Sequence, residues 1–203
     1  MKTIVFKNQR VAPSKVVCIG RNYVEHIQEL NNEVPSFMVI FMKPNSSVSE
    51  DLLVGKTPSQ YEAELSFVIK HGKIAGVGFG LDLTKRELQS ELKAKGLPWE
   101  RAKDFDGSAV FSRFVQIDEY VIDLLSLQLY INGVLAQEGC VAQMLYKPQE
   151  IISEIGTFST LLDNDIIMTG TPKGVGVYNK NDIFLGKILS GKKEILACEW
   201  IAK

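Results

Sequence analysis

No apolar run in this chain approaches the roughly 20 residues that a membrane-spanning helix needs, and the opening Met1 to Lys7 is too short in its apolar stretch for a signal peptide. The expectation is a soluble, unprocessed protein of the cytoplasm. Histidine is scarce, with only His26 and His71, and the three cysteines, Cys18, Cys140 and Cys198, are odd in number and far apart. That usage fits a reducing compartment, with Cys18 as a buried thiol in the run Val16-Val17-Cys18-Ile19. Net charge is only -1, with both signs dispersed, so nothing marks a nucleic-acid groove or an anionic membrane surface. Nucleotide motifs are also missing. The stretch Thr169 to Gly176 is glycine-rich but has no Gly-Lys-Ser/Thr ending, and Gly76-Val77-Gly78-Phe79-Gly80 lacks both the dinucleotide spacing and the helix that should follow. A small-molecule partner remains.

What is present reads as strands. With 203 residues, 45% of them hydrophobic, the chain can bury one core, and residues 1–203 are expected to form a single domain. Apolar runs at Lys15 to Ile19, Phe37 to Met42 and Ile166 to Met168 predict buried strands, and Leu125 to Ile131 and Val134 to Gln137 flank the hairpin signal Asn132-Gly133. Helices are few. Thr84 and Glu87 form a capping box before Leu88 and Leu92, with Gly96 and Pro98 as the stop, and Pro148 opens a helix whose stripe is Ile151, Ile152 and Ile155 and which Gly156 closes. Strand and helix do not alternate regularly, so a doubly wound sheet is disfavoured and the class is α+β, mainly β.

Candidate chemistry begins with Glu62 and Glu64. They alternate with Tyr61, Ala63, Leu65, Phe67 and Ile69 at the period of a strand, so both project from one face, about 6.5 Å apart. Asp82 follows at a strand-to-helix junction. Three carboxylates without nearby Cys or His favour Mg²⁺, Mn²⁺ or Ca²⁺ over zinc. Read alone, Glu-x-Glu describes the wet face of a half-exposed strand, and Lys103, in a loop with Arg101, Asp104 and Asp106, a solvated lysine. In a short helix after Gly20, His26 and Glu29 share a face at i and i+3, the pairing of a water-activating dyad or of a solvated surface pair. The turn Thr169 to Gly176 exposes backbone donors suited to a carboxylate or phosphate.

In this order the segments resemble the fumarylacetoacetate hydrolase family, from about Lys15 to Gly186. The matching runs are Gly20-Arg21-Asn22-Tyr23 with His26 and Glu29, Phe41-Met42-Lys43-Pro44, Glu62-Ala63-Glu64-Leu65, Leu81 to Gln89, Lys95-Gly96-Leu97-Pro98-Trp99 with Ala102-Lys103, Asn132-Gly133, and Thr169 to Gly176. The resemblance implies a mixed β-sandwich or roll with few short helices, usually as a homodimer. It implies Mg²⁺ or Mn²⁺ on Glu62, Glu64 and Asp82, and catalytic roles for His26, Glu29 and Lys103. Substrate contacts would fall to Arg21, Arg86, Gln89, Gly170 and Thr171. Within the family the likeness is to the acylpyruvase and oxaloacetate decarboxylase branch, whose chemistry is hydrolysis or decarboxylation of small 2-oxo acids through a pyruvate enolate. On that expectation Glu29 is the water-activating base, with His26 orienting. Isomerases and hydrolases of aromatic-catabolism dioates are the alternative, and a non-catalytic binder of metal or 2-oxo acid is a minor one. Tyr61 departs from the His that many relatives carry before the first metal Glu, a change expected to alter the surroundings of the metal without removing a ligand.

Overall fold

Two β-sheets face each other in the computed structural model, which describes all 203 residues. In chain order, β1 (Ile4–Phe6) and β2 (Gln9–Val11) precede β3 (Lys15–Gly20), α1 (Val24–Glu29), β4 (Val39–Pro44), β5 (Val48–Ser49) and β6 (Gln60–Tyr61). A long hairpin of β7 (Ala63–Lys70) and β8 (Lys73–Asp82) then feeds α2 (Arg86–Ala94), α3 (Glu100–Lys103), β9 (Ala109–Phe111) and β10 (Val115–Gln116). The rest comprises β11 (Leu125–Ile131), β12 (Val134–Cys140), α4 (Pro148–Gly156), β13 (Ile166–Met168), β14 (Gly176–Val177), β15 (Ile183–Ser190) and β16 (Lys193–Ile201). The larger sheet has eight strands in the order β4-β3-β13-β7-β8-β9-β5, with β10 also on β8, and the second runs β12-β11-β15-β16. No helix is long and apolar enough to cross a membrane.

Turn chemistry explains the two hairpins that matter most. Asn132 and Gly133 both take positive φ, the geometry of the tight turn their sequence announces, and β11 pairs β12 on either side. His71 and Gly72 do the same between β7 and β8. That second turn sets Ala63 opposite Leu81 and Glu64 opposite Gly80. One face of this hairpin, with Ala63, Leu65, Phe67, Val77, Phe79 and Leu81, is buried against Leu127, Leu129, Phe184 and Ile188 of the second sheet. The other face carries Glu64, Ser66 and Asp82, with glycines at 76, 78 and 80. A Cβ at Gly78 would stand 2.9 Å from the Phe114 ring, and one at Gly76 would stand 2.6 Å from Phe6. Bare backbone there lets aromatic rings lie directly on the strand.

Strand β7 is therefore covered on both faces, and the half-exposed alternation expected of it does not occur. Its position between β13 and β8 in the middle of the sheet is the reason. A second correction concerns α2. The helix starts at Arg86 after an N-cap at Lys85 that makes no side-chain capping bond. Thr84 is buried, and its hydroxyl serves the Lys103 ammonium and the Asp82 carbonyl instead of the helix. Gly96 takes φ +63° just past the helix end, as its position predicts, and Pro148 opens α4 with Ile151 and Ile155 buried. Ile152 is only half-buried, and the helix runs through Gly156 to a cap at Thr157.

Asp165 ties β13 to the start of β3. Its Oδ1 accepts from the Ser14 hydroxyl at 2.6 Å and the Ser14 amide at 3.0 Å, while Oδ2 accepts from Lys15 Nζ at 2.7 Å and the Leu162 amide at 2.9 Å. Burial opposes ionisation of this carboxyl, but the bonds from Lys15 and Ser14 outweigh it and hold the pKa below the usual carboxylate range. A depressed folded pKa stabilises the protein above the unfolded value, near 3.9, and the contribution fades as pH falls through the lower folded value. Asp165→Asn should thus cost about 3 kcal/mol at neutral pH, with the gap to the parent closing below about pH 4. Urea titrations at several pH values test this, and an unchanged midpoint at pH 7 would refute the role.

Candidate active site

The β7–β8 register builds the acidic centre. The Asp82 amide donates to the Glu62 carbonyl at 2.9 Å, so Asp82 stands across from Glu62, and Glu64 lies two pairs further along, opposite the bare Gly80. One carboxylate oxygen from each of Glu62, Glu64 and Asp82 falls within 4.8 Å of the others, and all three side chains are buried. Three anions this close need countercharge. Lys103, only 3% exposed, donates to Glu62 Oε2 at 2.9 Å, Asp82 Oδ2 at 2.7 Å and the Thr84 hydroxyl at 2.6 Å. The short helix α3 after Pro98 delivers it, so the solvated-surface reading of this lysine is overturned. Arg86, in the first turn of α2, pairs with Glu62 Oε1 and donates from Nε to Gln60 Oε1 at 2.8 Å and from Nη1 to Gln89 Oε1 at 2.8 Å.

The electrostatics follow from this crowding. Burial raises Glu64 well above the ordinary carboxylate value, and the neighbouring Asp82 and Glu62 push it further. Burial also opposes the charge of Glu62, yet Lys103 and Arg86 overcome it and hold that carboxyl well below the usual range. Lys103 is disfavoured by burial but kept above the ordinary lysine value by Asp82 and Glu62. Asp82 Oδ1 is buried and makes no hydrogen bond, although Lys43 Nζ lies 3.0 Å away at an angle unsuited to one. An unbonded buried carboxylate oxygen beside a carboxyl that resists ionisation is the donor set a hard divalent cation would complete. Glu62, Glu64 and Asp82 fit Mg²⁺ or Mn²⁺.

One cleft gathers most of the remaining candidates. Arg21, His26, Arg86, Gln89, Lys103 and Thr171 line it together with the acidic trio. Its free interior is about 30 Å³, room for water or a cation. Glu29 and Gly170 do not line it. Glu29 stands behind His26, its Oε2 3.0 Å from His26 Nδ1 and its Oε1 accepting the Gly174 amide at 2.9 Å. Within the dyad His26 stands at the cleft wall, and Glu29 lies behind it, bonded to the ring and to the glycine-rich turn. The Gly170 amide is taken by Glu64 Oε2 at 2.7 Å, so this glycine-rich turn holds the protein's own carboxylates. Tyr61 packs edge-on against Phe184 in the main core, away from the face that carries the acids.

Sequence reasoning gave no role to three neighbours. Lys43, fully buried on β4, donates to Ser108 Oγ at 2.9 Å and to the Lys103 carbonyl. Gln137 on β12 receives the Ala63 amide on Oε1 at 2.9 Å and donates from Nε2 to Thr171 Oγ1 at 2.8 Å, clamping the acidic strand to the glycine-rich turn. Lys93 joins the cleft from the far end of α2. A polar residue at an inward position of an otherwise apolar strand was the available signal for Lys43 and Gln137.

Known proteins agree with this geometry. The profile described as fumarylacetoacetate (FAA) hydrolase, C-terminal, matches residues 15–195. The chain belongs to the fumarylacetoacetate hydrolase family. The mitochondrial oxaloacetate tautomerase of Bos taurus is 38% identical, with 82% of this chain and 83% of the relative covered, and an oxaloacetate tautomerase of Escherichia coli is 37% identical over 83% and 85%. The family fold is equally plain in a fumarylpyruvate hydrolase from Pseudomonas aeruginosa, solved with Mn²⁺ and pyruvate. It superposes with a TM-score of 0.87 at 25% identity, covering 100% of this chain and 97% of the other.

Removing one ligand tests the metal assignment directly. Glu64→Ala should weaken Mn²⁺ binding by at least about tenfold, the scale seen for losses even around a metal's ligands. Calorimetric titration with an affinity equal to the parent's would show that the trio holds no metal.

Proposed function

We propose that residues 1–203 act as one catalytic domain that binds Mg²⁺ or Mn²⁺ and works on small 2-oxo acids through an enolate, with keto–enol interconversion of oxaloacetate as the favoured reaction. The observation that carries this reading is the meeting, in one cleft, of the acidic trio, the buried Lys103 ammonium and the His26 ring. Two relatives 37–38% identical that are oxaloacetate tautomerases support the substrate.

A cation held by Glu62, Glu64 and Asp82 would polarise the 2-oxo carbonyl. The chain's own residues then supply the rest. Lys103 carries positive charge that burial has not removed, and it can offset the negative charge that grows on the ketone oxygen. His26 has Nδ1 engaged by Glu29, which leaves Nε2 as the ring nitrogen without a protein partner. That nitrogen takes the proton from the carbon between the ketone and the far carboxylate, and the imidazolium so formed gives the proton, directly or through water, to the ketone oxygen, which yields the enol and restores the neutral ring. Glu29, bonded to Nδ1, fixes the orientation of the ring. Gln89 and Arg86, joined to each other, orient the carboxylate beside the ketone.

A second reading rests on the Mn²⁺- and pyruvate-bound fumarylpyruvate hydrolase. The same His26, backed by Glu29, could deprotonate water for attack on the distal carbonyl of an acylpyruvate, with Lys103 stabilising the pyruvate enolate that leaves. Decarboxylation needs that stabilisation but no base.

Parallel assays of oxaloacetate tautomerisation, oxaloacetate decarboxylation and acylpyruvate hydrolysis, each with Mg²⁺ and Mn²⁺, decide among these. Lys103→Met should depress all of them by roughly 10² to 10³. His26→Asn should lower tautomerisation and hydrolysis by roughly 10² to 10⁴ while decarboxylation survives far better. No acceleration of oxaloacetate keto–enol exchange beyond metal in buffer would sink the favoured reaction, and equal losses in the three reactions for His26→Asn would remove its role as a proton carrier.

A further inference from the structure

Four cations line the cleft, and they are not equivalent. Arg86 and Lys103 are bound to Glu62, and Lys103 to Asp82 as well. Arg21 and Lys93 have no acidic partner. Arg21 bonds only to the Asn32 side chain at 3.2 Å and the Glu33 carbonyl at 3.5 Å, and its buried Nε has no partner. Its backbone takes φ +57°, a left-handed conformation that is costly for an arginine and so points to a constraint from function. Lys93 makes neither hydrogen bond nor ion pair; its ammonium lies 4.9 Å from the centre of the Trp99 ring, which pins the stem and leaves the N–H groups available. Helical periodicity places Arg86, Gln89 and Lys93 on one face of α2, directed into the cleft.

We propose that Lys93, with Arg21, forms the receptor for the far carboxylate of a 2-oxo dicarboxylate, and that Lys93 sets the preference for dianionic over monoanionic substrates. The inference rests on the 2-oxo acid reading and names the substrate class within it. Charge supports it. Three carboxylates are already more than balanced by a divalent cation and by the cations paired with them, Lys43, Arg86 and Lys103, so Arg21 and Lys93 are positive surplus in a confined space. Burial, followed by the cations Arg21, Arg86 and Lys103, pushes the Lys93 pKa down to about 8, with Glu62 pulling the other way. An incoming carboxylate relieves that repulsion, and a substrate lacking one cannot.

The test compares two ligands that differ by this carboxylate. Binding of pyruvate and of oxaloacetate to the Mg²⁺-loaded protein is followed through tryptophan fluorescence, since Trp99 lines the cleft, alongside oxaloacetate turnover. In Lys93→Met, which keeps the stem over Trp99, oxaloacetate affinity should fall about tenfold or more, the size of a lost charge-assisted hydrogen bond. Pyruvate affinity should stay within about twofold of the parent. Lys93→Arg should restore oxaloacetate binding. The parent's kcat/KM for oxaloacetate should decline as pH rises through about 8, where Lys93 loses its charge, and the decline should vanish in Lys93→Arg. Equal loss for both ligands in Lys93→Met, together with a lowered Tm, would make the lysine a prop for Trp99 and overturn the proposal, as would no loss for either. Failure of the parent to bind either acid would instead bring down the 2-oxo acid reading on which the proposal stands.

Discussion

Repulsion among three buried carboxylates is the constraint around which this structure is organised. Glu62, Glu64 and Asp82 are set side by side by the register of one antiparallel hairpin, and the bare strand at Gly80 leaves room for Ser66, Met168 and Phe111 on that face. Such a cluster is unstable unless opposite charge is brought to it. The chain brings it from three directions: Lys43 on β4, Arg86 at the start of α2 and Lys103 at the end of α3. The two helices after β8 therefore do more than connect sheets. Their placement is fixed by the anions they neutralise, and the cleft is the space left between those helices and the strand ends.

Much of this was legible in the sequence because it follows from period and spacing. Glu62 and Glu64 alternate with apolar residues, Asn132-Gly133 specifies its own turn, and Pro148 and Gly96 sit where helices start and stop. The fold class and the family followed from the same runs. Reading failed where tertiary context decides. Thr84 and Glu87 have the spacing of a capping box, but a buried ammonium is a stronger partner for the threonine hydroxyl than a helix amide is. Lys103 lies among charged residues and looks solvated until the helix that carries it is folded against the acids. No local pattern records that His26 rather than Glu29 faces the cleft. The i, i+3 spacing makes the pair, and only the bond from Gly174 to Glu29 shows which member is held at the back.

Tight satisfaction of most polar groups makes the exceptions informative. The Asn22 side chain bonds the Tyr146 amide and the Thr169 carbonyl, Gln137 bonds across two elements, and Glu29 uses both of its oxygens. Against that background five buried side-chain atoms have no hydrogen-bond partner, and two of them, Asp82 Oδ1 beside the Lys43 ammonium and Arg21 Nε, belong to residues that line the cleft. One is an acceptor among the acids and the other a donor at the cleft wall. A metal and an organic anion are the complementary partners, so the unpaired atoms call for the two halves of the proposed complex.

Metal binding and stability are linked through the same residues. In the metal-free chain Glu64 resists ionisation because burial and two neighbouring carboxylates oppose its charge. A divalent cation reverses that balance, so binding must release a proton wherever Glu64 is protonated, and affinity must rise with pH across its titration. A ligand that binds only the folded chain also stabilises it by mass action. The acidic centre is thus a local weakness that a bound cation would turn into a source of stability. Arg21 and Lys93 belong to a separate account, since neither is bonded to a carboxylate of the trio. On the proposed reading, the charge that offsets the acids and the charge that meets a far carboxylate are carried by different side chains.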